Sequence, residues 1–220
     1  MYKRLLVPVD GSTFAEQLIV SAAQVARNTK SELALLRVVD STEDEAAARQ
    51  YVEQLAAPHG ATALCVPAQS EGVAAAIRDE VRRVPGTLVA MCSHGRSGAL
   101  QAIFGSVALE VLRALGEPVV IFRPYPDGPV ALSKVGRVVL PLDGSKLSES
   151  MMPQAAELAK WLGARVIVVS VIEPSIKIDP NVPASDVQES GYVRARAREM
   201  SERYGVETSW EVLHGDPKEA

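Results

Sequence analysis

The sequence predicts an α/β fold: a doubly wound, five-stranded parallel sheet in the order 3-2-1-4-5, duplicated along the chain, with the second copy truncated. Three observations lead there. Short apolar runs alternate with stretches whose apolar residues recur at helical spacing. A long glycine-bearing loop joins the fourth run to the helix after it. The first run and its turn, Arg4 to Ser12, return in recognisable form at Arg137 to Ser145.

Leu5-Leu6-Val7-Pro8-Val9, led in by Arg4, is apolar without alternation, as a strand covered on both faces requires. Asp10-Gly11-Ser12 turns the chain. Phe14, Leu18, Ala22, Val25 and Ala26 then mark one face of a helix. Thr13 and Glu16 have the spacing of a capping box. Leu33 to Val39 is the second strand. A second helix is expected from about Thr42 to Ala57, acidic at its start as the helix dipole prefers, and Pro58-His59-Gly60 ends it. Ala61 to Val66 is the third strand. Val73, Ile77, Val81 and Val84 mark a third helix, stopped by Pro85-Gly86. Thr87 to Ala90 is the fourth strand and Pro118 to Phe122 the fifth.

Between strand four and the helix Val107 to Leu115 lies a loop that carries Cys92-Ser93-His94-Gly95-Arg96 and ends at Gly105-Ser106. Glycine allows a close approach that a Cβ forbids. The free N–H groups and dipole of a helix N-terminus attract anions. Such a loop suits a phosphate. An ordinary strand-helix connection is the competing account, but those run to about 2–6 residues and this one to about a dozen. Right-handed crossovers place the switch in strand order between strands one and four, where open α/β sheets bind ligands. Asp10 and Cys92 to Gly95 would flank that crevice.

A first domain is therefore expected over 1–124 and a linker over 125–133, where Pro126, Gly128 and Pro129 gather just after Pro124. The second domain spans 134–220. Glu149, Ala155, Ala156 and Ala159 repeat Glu16, Ala22, Ala23 and Ala26 without a gap, so a helix like the first is expected there. Arg165 to Ile172 is its second strand, Ser185 to Tyr204 a charged helix, and Val206 to Leu213 a third strand. A fourth strand and phosphate loop do not follow. The expectation is a second domain without a complete phosphate-binding site, and a strand 137–142 with one bare edge. Either the chain is part of a longer tandem protein or another chain or domain completes the surface.

The 220 residues carry a net charge of −4, which argues against nucleic acid and against an anionic membrane surface. No apolar run approaches the roughly 18 residues that span a bilayer. The N-terminus meets Asp10 too early for a signal peptide. Two cysteines, Cys65 and Cys92, fit a reducing cytoplasm, and the topology keeps their strands apart, so no disulfide is expected. Cys65 is expected in the core. His59 and His214 are taken as surface loop residues, and His94 as an ordinary loop histidine without a paired base. Arg194, Arg196, Arg198 and Arg203 are interleaved with Glu199 and Glu202, which makes a solvated helix face. No metal cluster is expected.

Over nearly its whole length the chain resembles the universal stress protein family in its tandem form. One carrier is Pro8-Val9-Asp10-Gly11-Ser12, repeated as Pro141-Leu142-Asp143-Gly144-Ser145. The other is the family's nucleotide loop, Gly-x-x-Gly, nine residues, then Gly-Ser or Gly-Thr. Gly95 and Gly105-Ser106 fit it, while Cys92 stands at the first glycine position. A Cβ there can crowd a ligand, or a small side chain can simply be packed at the strand end; tolerance is the expectation. Pro118-Val119-Val120-Ile121 is also family-like.

The resemblance implies a domain that binds ATP, with or without Mg2+. Asp10, with Val9 beside it, would contact the adenosine end, and Val38 would meet adenine through its backbone. Gly95, Arg96, Gly105, Ser106 and Val107 would hold ribose and phosphates. Asp10 has a second reading, as a cap for the turn that Asp143 shares. The family's domains often pair through strand five, here Val119 to Phe122, so a homodimer or an intramolecular domain pair is expected. Three functions remain open. The first is an ATP-binding regulatory or stress-response module acting through conformation or partner choice, and not an enzyme. The others are a slow ATPase and a structural member that binds no nucleotide. The loop argues against the last, and the lack of an evident base, metal set or loop lysine against the second.

Overall fold

The structure is a computed structural model. It describes residues 1–40, 43–68, 70–93, 105–123, 134–172 and 190–216, and the backbone of 185–189. The chain divides into two compact units, Met1–Lys134 and Val135–Ala220.

The first unit alternates strands and helices: β1 (Arg4–Val9), α1 (Thr13–Thr29), β2 (Glu32–Val39), α2 (Glu45–Ala56), β3 (Thr62–Pro67), α3 (Val73–Arg83), β4 (Thr87–Cys92), α4 (Ser106–Leu115) and β5 (Val119–Phe122). All strand pairs are parallel, in the order β3-β2-β1-β4-β5. β1 is central, and its Leu6 sits opposite Ala34 on one side and Val89 on the other. On one face Leu6, Leu36, Val89 and Met91 close over Ile77 of α3 and Val111 of α4. On the other, α1 packs on β1 and α2 on β2 and β3. Val7, Leu35, Leu18 and Val52 are buried there. Both faces being covered is what the unbroken apolar strands require.

Helix starts differ from expectation in two places. The N-cap of α1 is Ser12, whose hydroxyl accepts from the Ala15 amide at 3.2 Å. Thr13 is thus the first helical residue and makes no capping box with Glu16, whose carboxylate instead accepts from the Tyr51 hydroxyl. Helix α2 begins three residues later than its acidic lead suggests. Asp44 caps it by accepting from Ala46 and Ala47. A short 3-10 turn, Ala57–His59, and Gly60 at φ +62° end it.

The second unit contains β6 (Arg137–Pro141), α5 (Lys146–Glu149), α6 (Met152–Leu162), β7 (Arg165–Ile172), α7 (Ser185–Tyr204) and β8 (Thr208–His214). Its sheet is parallel, in the order β6-β7-β8. Leu140, Val166 and Val168 pack against Met152 and Ala156 of α6 and Val193 and Met200 of α7. Among the described residues β6 pairs with β7 alone, and Val139 is 59% exposed.

The expected single helix after β6 is broken into α5 and α6. The cause is Pro153, in the first turn of α6, where the first copy has Val20 in mid-helix. Proline has no N–H and its ring clashes with the carbonyl four residues back, here that of Glu149. The chain restarts instead, with Met151 donating to Ser148 and Ala155 to Met151.

Cys65 and Cys92 are free thiols. Cys65 is half-buried and not a core residue, because β3 is an outer strand. His214 ends β8 and is exposed, so it is not in a loop. Arg198 and Arg203 pair with Glu202 and Glu199 at 2.7 and 3.2 Å along α7, as a solvated face would. No helix among the described residues is long and apolar enough to cross a membrane.

Candidate functional site

A cavity of about 370 Å³ opens at the carboxyl ends of β1, β2 and β4. That is the switch in strand order, and the volume lies within the range of small-molecule sites, ~300–1,000 Å³. Its apolar wall comes from Leu36, Val38, Val73, Ile77 and Met91, with Ala108 from α4. One end carries Asp10, Arg37, Asp40 and Glu43, beside Val9. The other carries Gly105, Ser106 and Val107.

The Asp10 end is built by a turn that needs glycine. Gly11 has φ +85°, and its counterpart Gly144 has φ +79°, a region L side chains avoid. Asp10 Oδ1 accepts from the Ser12 amide at 3.0 Å and from its hydroxyl at 2.6 Å. In the second unit Asp143 Oδ1 accepts from the Ser145 amide at 2.9 Å and the Ser148 hydroxyl at 2.6 Å. Those hydrogen bonds, the Ser148 hydroxyl first, hold the Asp143 carboxyl down at about 2. Asp10 therefore does serve the turn, and it also faces the cavity.

The Gly105 end is the N-terminus of α4. Gly105 donates to the Ser93 carbonyl at 2.7 Å, and Ser93 donates to Phe122 at 2.9 Å. The two ends of the loop are thereby tied to β4 and β5. Gly105 is the N-cap and makes no side-chain cap. The first-turn amides of a helix have no partner within it, so they present donors to the cavity. Gly105 itself is extended, at φ −67° and ψ 159°. Any residue adopts that backbone, so the conformation does not itself require glycine.

Cys92 also lines the cavity. Its thiol donates to the Phe14 carbonyl of α1 at 2.8 Å. Burial, with the charge of Asp10 adding to it, pushes the thiol up to about 12. The side chain is thus engaged with α1 as a neutral thiol.

Of the residues expected to form the site, the structure brings Val9, Asp10, Val38, Gly105, Ser106 and Val107 to one cavity. Gly95 and Arg96, like His94, lie outside the described residues. Sequence reasoning missed the polar group Arg37, Asp40 and Glu43. Its one signal was a charge inside the apolar run Leu33 to Val39. Among the described residues no group of His, Cys, Asp and Glu is arranged to hold a metal ion.

Fold and cavity together define a doubly wound α/β protein with a cleft at the switch between its first and fourth strands. A model of the universal stress protein family matches residues 1–123 and 134–220. The chain belongs to that family and carries its domain twice in tandem. Among solved structures it is similar to a universal stress protein from Archaeoglobus fulgidus DSM 4304, at 19% identity and TM-score 0.69, covering 100% of this chain and 81% of that one. It is similar also to a protein of Pseudomonas aeruginosa UCBPP-PA14 assigned to the same family, at 18% identity and TM-score 0.59, covering 97% and 74%. At such identities the likeness is one of fold. No curated protein matches the chain in sequence.

Proposed function

We propose that the first unit binds an adenine nucleotide, ATP with or without Mg2+, and that the protein is a regulatory or stress-response module whose output is a conformation or a choice of partner. One observation carries this reading: a single cavity has an apolar wall, a carboxylate-bearing end at Asp10 and an uncapped helix N-terminus at Gly105 to Val107. An aromatic base suits the wall. Phosphates suit the amides and the helix dipole. Ser106 adds a hydroxyl donor, and Val9 and Val38 offer backbone beside the base. Gly95 and Arg96 would complete the hold on ribose and phosphates.

Binding without turnover fits the ionisable groups on the described wall. Asp10 is engaged with Ser12, Arg37 with Glu43, and Cys92 is held neutral. A general base needs a free acceptor poised near the working pH. The free thiols support a reducing, cytoplasmic setting. Self-association through β5, an outer strand with Val120 exposed, belongs to the same reading. A stable monomer at micromolar concentration in sedimentation would contradict that part.

The test is direct. Purified protein is denatured and the released small molecules are analysed. Adenine nucleotide in proportion to protein supports the proposal. Its absence, with no ATP taken up on addition, would overturn it.

A further inference from the structure

β2 sends Leu33, Leu35, Arg37 and Val39 to the face covered by α1 and α2, and Arg37 is the one charge in that row. The Arg37 side chain is only 11% exposed. A guanidinium so placed is costly unless its donors are used. Its Nη1 donates to the Val9 carbonyl at 3.4 Å, and its Nη2 to both Glu43 oxygens, at 2.7 and 2.6 Å. Glu43 in turn donates its amide to the Asp40 carbonyl at 3.3 Å. One side chain therefore ties the end of β1 to the connection between β2 and α2. All of these residues line the cavity, and Val38 lies next to Arg37 in the chain.

The end so tied is rich in acceptors: the carboxylates of Asp10, Asp40 and Glu43 line it. A nucleotide whose phosphates lie at the Gly105 end turns its base toward these acceptors. A 6-amino purine can donate to them. A 6-oxo purine presents a lone pair to lone pairs. We propose that the Arg37–Glu43 pair is the positioning element that holds this acceptor-lined wall in place and so sets the choice of a 6-amino over a 6-oxo purine. The proposal rests on the nucleotide reading above.

The experiment compares ATP, ITP and inorganic tripolyphosphate on wild-type protein, on Arg37→Met and on Glu43→Gln. Wild type is expected to prefer ATP over ITP. In Arg37→Met the ATP affinity falls by roughly tenfold, about the worth of one well-made hydrogen bond. ITP and tripolyphosphate change little, so the preference collapses. Glu43→Gln keeps the side-chain volume, weakens the same clamp and shows the pattern in smaller degree. It decides the matter if Arg37→Met does not fold. Equal losses for all three ligands would mean that Arg37 only offsets nearby carboxylates, and would overturn the proposal. So would an unchanged ATP to ITP ratio in both variants, or a wild type that binds the two equally. A wild type that binds none of the three overturns the nucleotide reading itself.

Discussion

The Tyr51 hydroxyl donates to Glu16 Oε1 at 3.0 Å, bracing α2 against α1, and the second unit repeats the contact from Tyr192 to Glu149 at the same distance. Glu16 and Glu149 stand at matching places in the duplicated sequence. The tyrosines come from helices that follow the preceding strand at different separations in the sequence. The contact has been kept where the chain around it has changed. Burial first, then the bond to the carboxylate, pushes the Tyr192 phenol up to about 12, and Tyr51 is shifted the same way. Tyr51→Phe is expected to lower stability by about 1–2 kcal/mol, because the half-buried Glu16 loses a donor. Urea unfolding of the variant checks this. A midpoint equal to wild type would mean that water replaces the phenol at no cost.

The opposite end of the first sheet is held by a buried ion pair. Arg4 Nη1 meets Glu80 Oε1 at 2.7 Å with both side chains 4% exposed, and Arg4 Nε donates to Thr87 at 2.9 Å. Glu80→Ala strands the Arg4 charge and is expected to cost about 3–5 kcal/mol. Adding Arg4→Met removes the stranded charge and recovers much of the loss. Thermal unfolding of the single and double variants measures both effects. A double variant less stable than the single one would contradict the assignment.

Cys92 gives the protein an alkaline signature. The ordinary value of such a thiol is 9.0 and the folded value is about 12. A raised pKa means that the neutral form is favoured by folding. Its contribution is complete below pH 9 and is lost as the pH climbs toward 12. Cys92→Ala should flatten the fall in stability between about pH 9 and about pH 12, leaving the part due to the tyrosines. Urea midpoints across that window test it, and an unchanged slope would show that the thiol is exposed in solution. Folded protein should also resist alkylation at Cys92 near neutral pH, since the thiolate is the nucleophile.

Much of the fold was legible because each strand is a short apolar run and each helix shows its period. The strand order was suggested by five strands alternating with helices and by the right-handed crossovers of a doubly wound sheet. The errors have specific causes. Ser12 and Thr13 are both good caps, and the Glu16 spacing pointed to Thr13. Asp10, by accepting from Ser12, settles the matter in three dimensions. Pro153 was hidden because the repeat kept its register across it. In the site, Asp10 and Gly105-Ser106 were readable as strand-end and helix-start residues. Arg37 was not, because a lone charge in an apolar strand does not name its partner, and Glu43 becomes that partner only once α2 is in place.

ATP turnover is expected to stay near the uncatalysed rate, since Asp10 accepts from Ser12, Glu43 pairs with Arg37 and the Cys92 thiol is held by Phe14. A coupled phosphate-release assay tests this. Steady hydrolysis that disappears in Gly105→Asp would promote the ATPase reading.

Gly105→Asp is also the sharpest probe of binding. The N-cap position is extended, and aspartate is among the favoured caps there, so the variant should fold. Its carboxylate would then occupy the first-turn amides of α4 that the proposal assigns to phosphate. Isothermal titration with ATP should show one nucleotide bound in the first unit of wild-type protein and no measurable binding to the folded variant. Equal affinity in the two proteins would contradict a phosphate site at Gly105 to Val107.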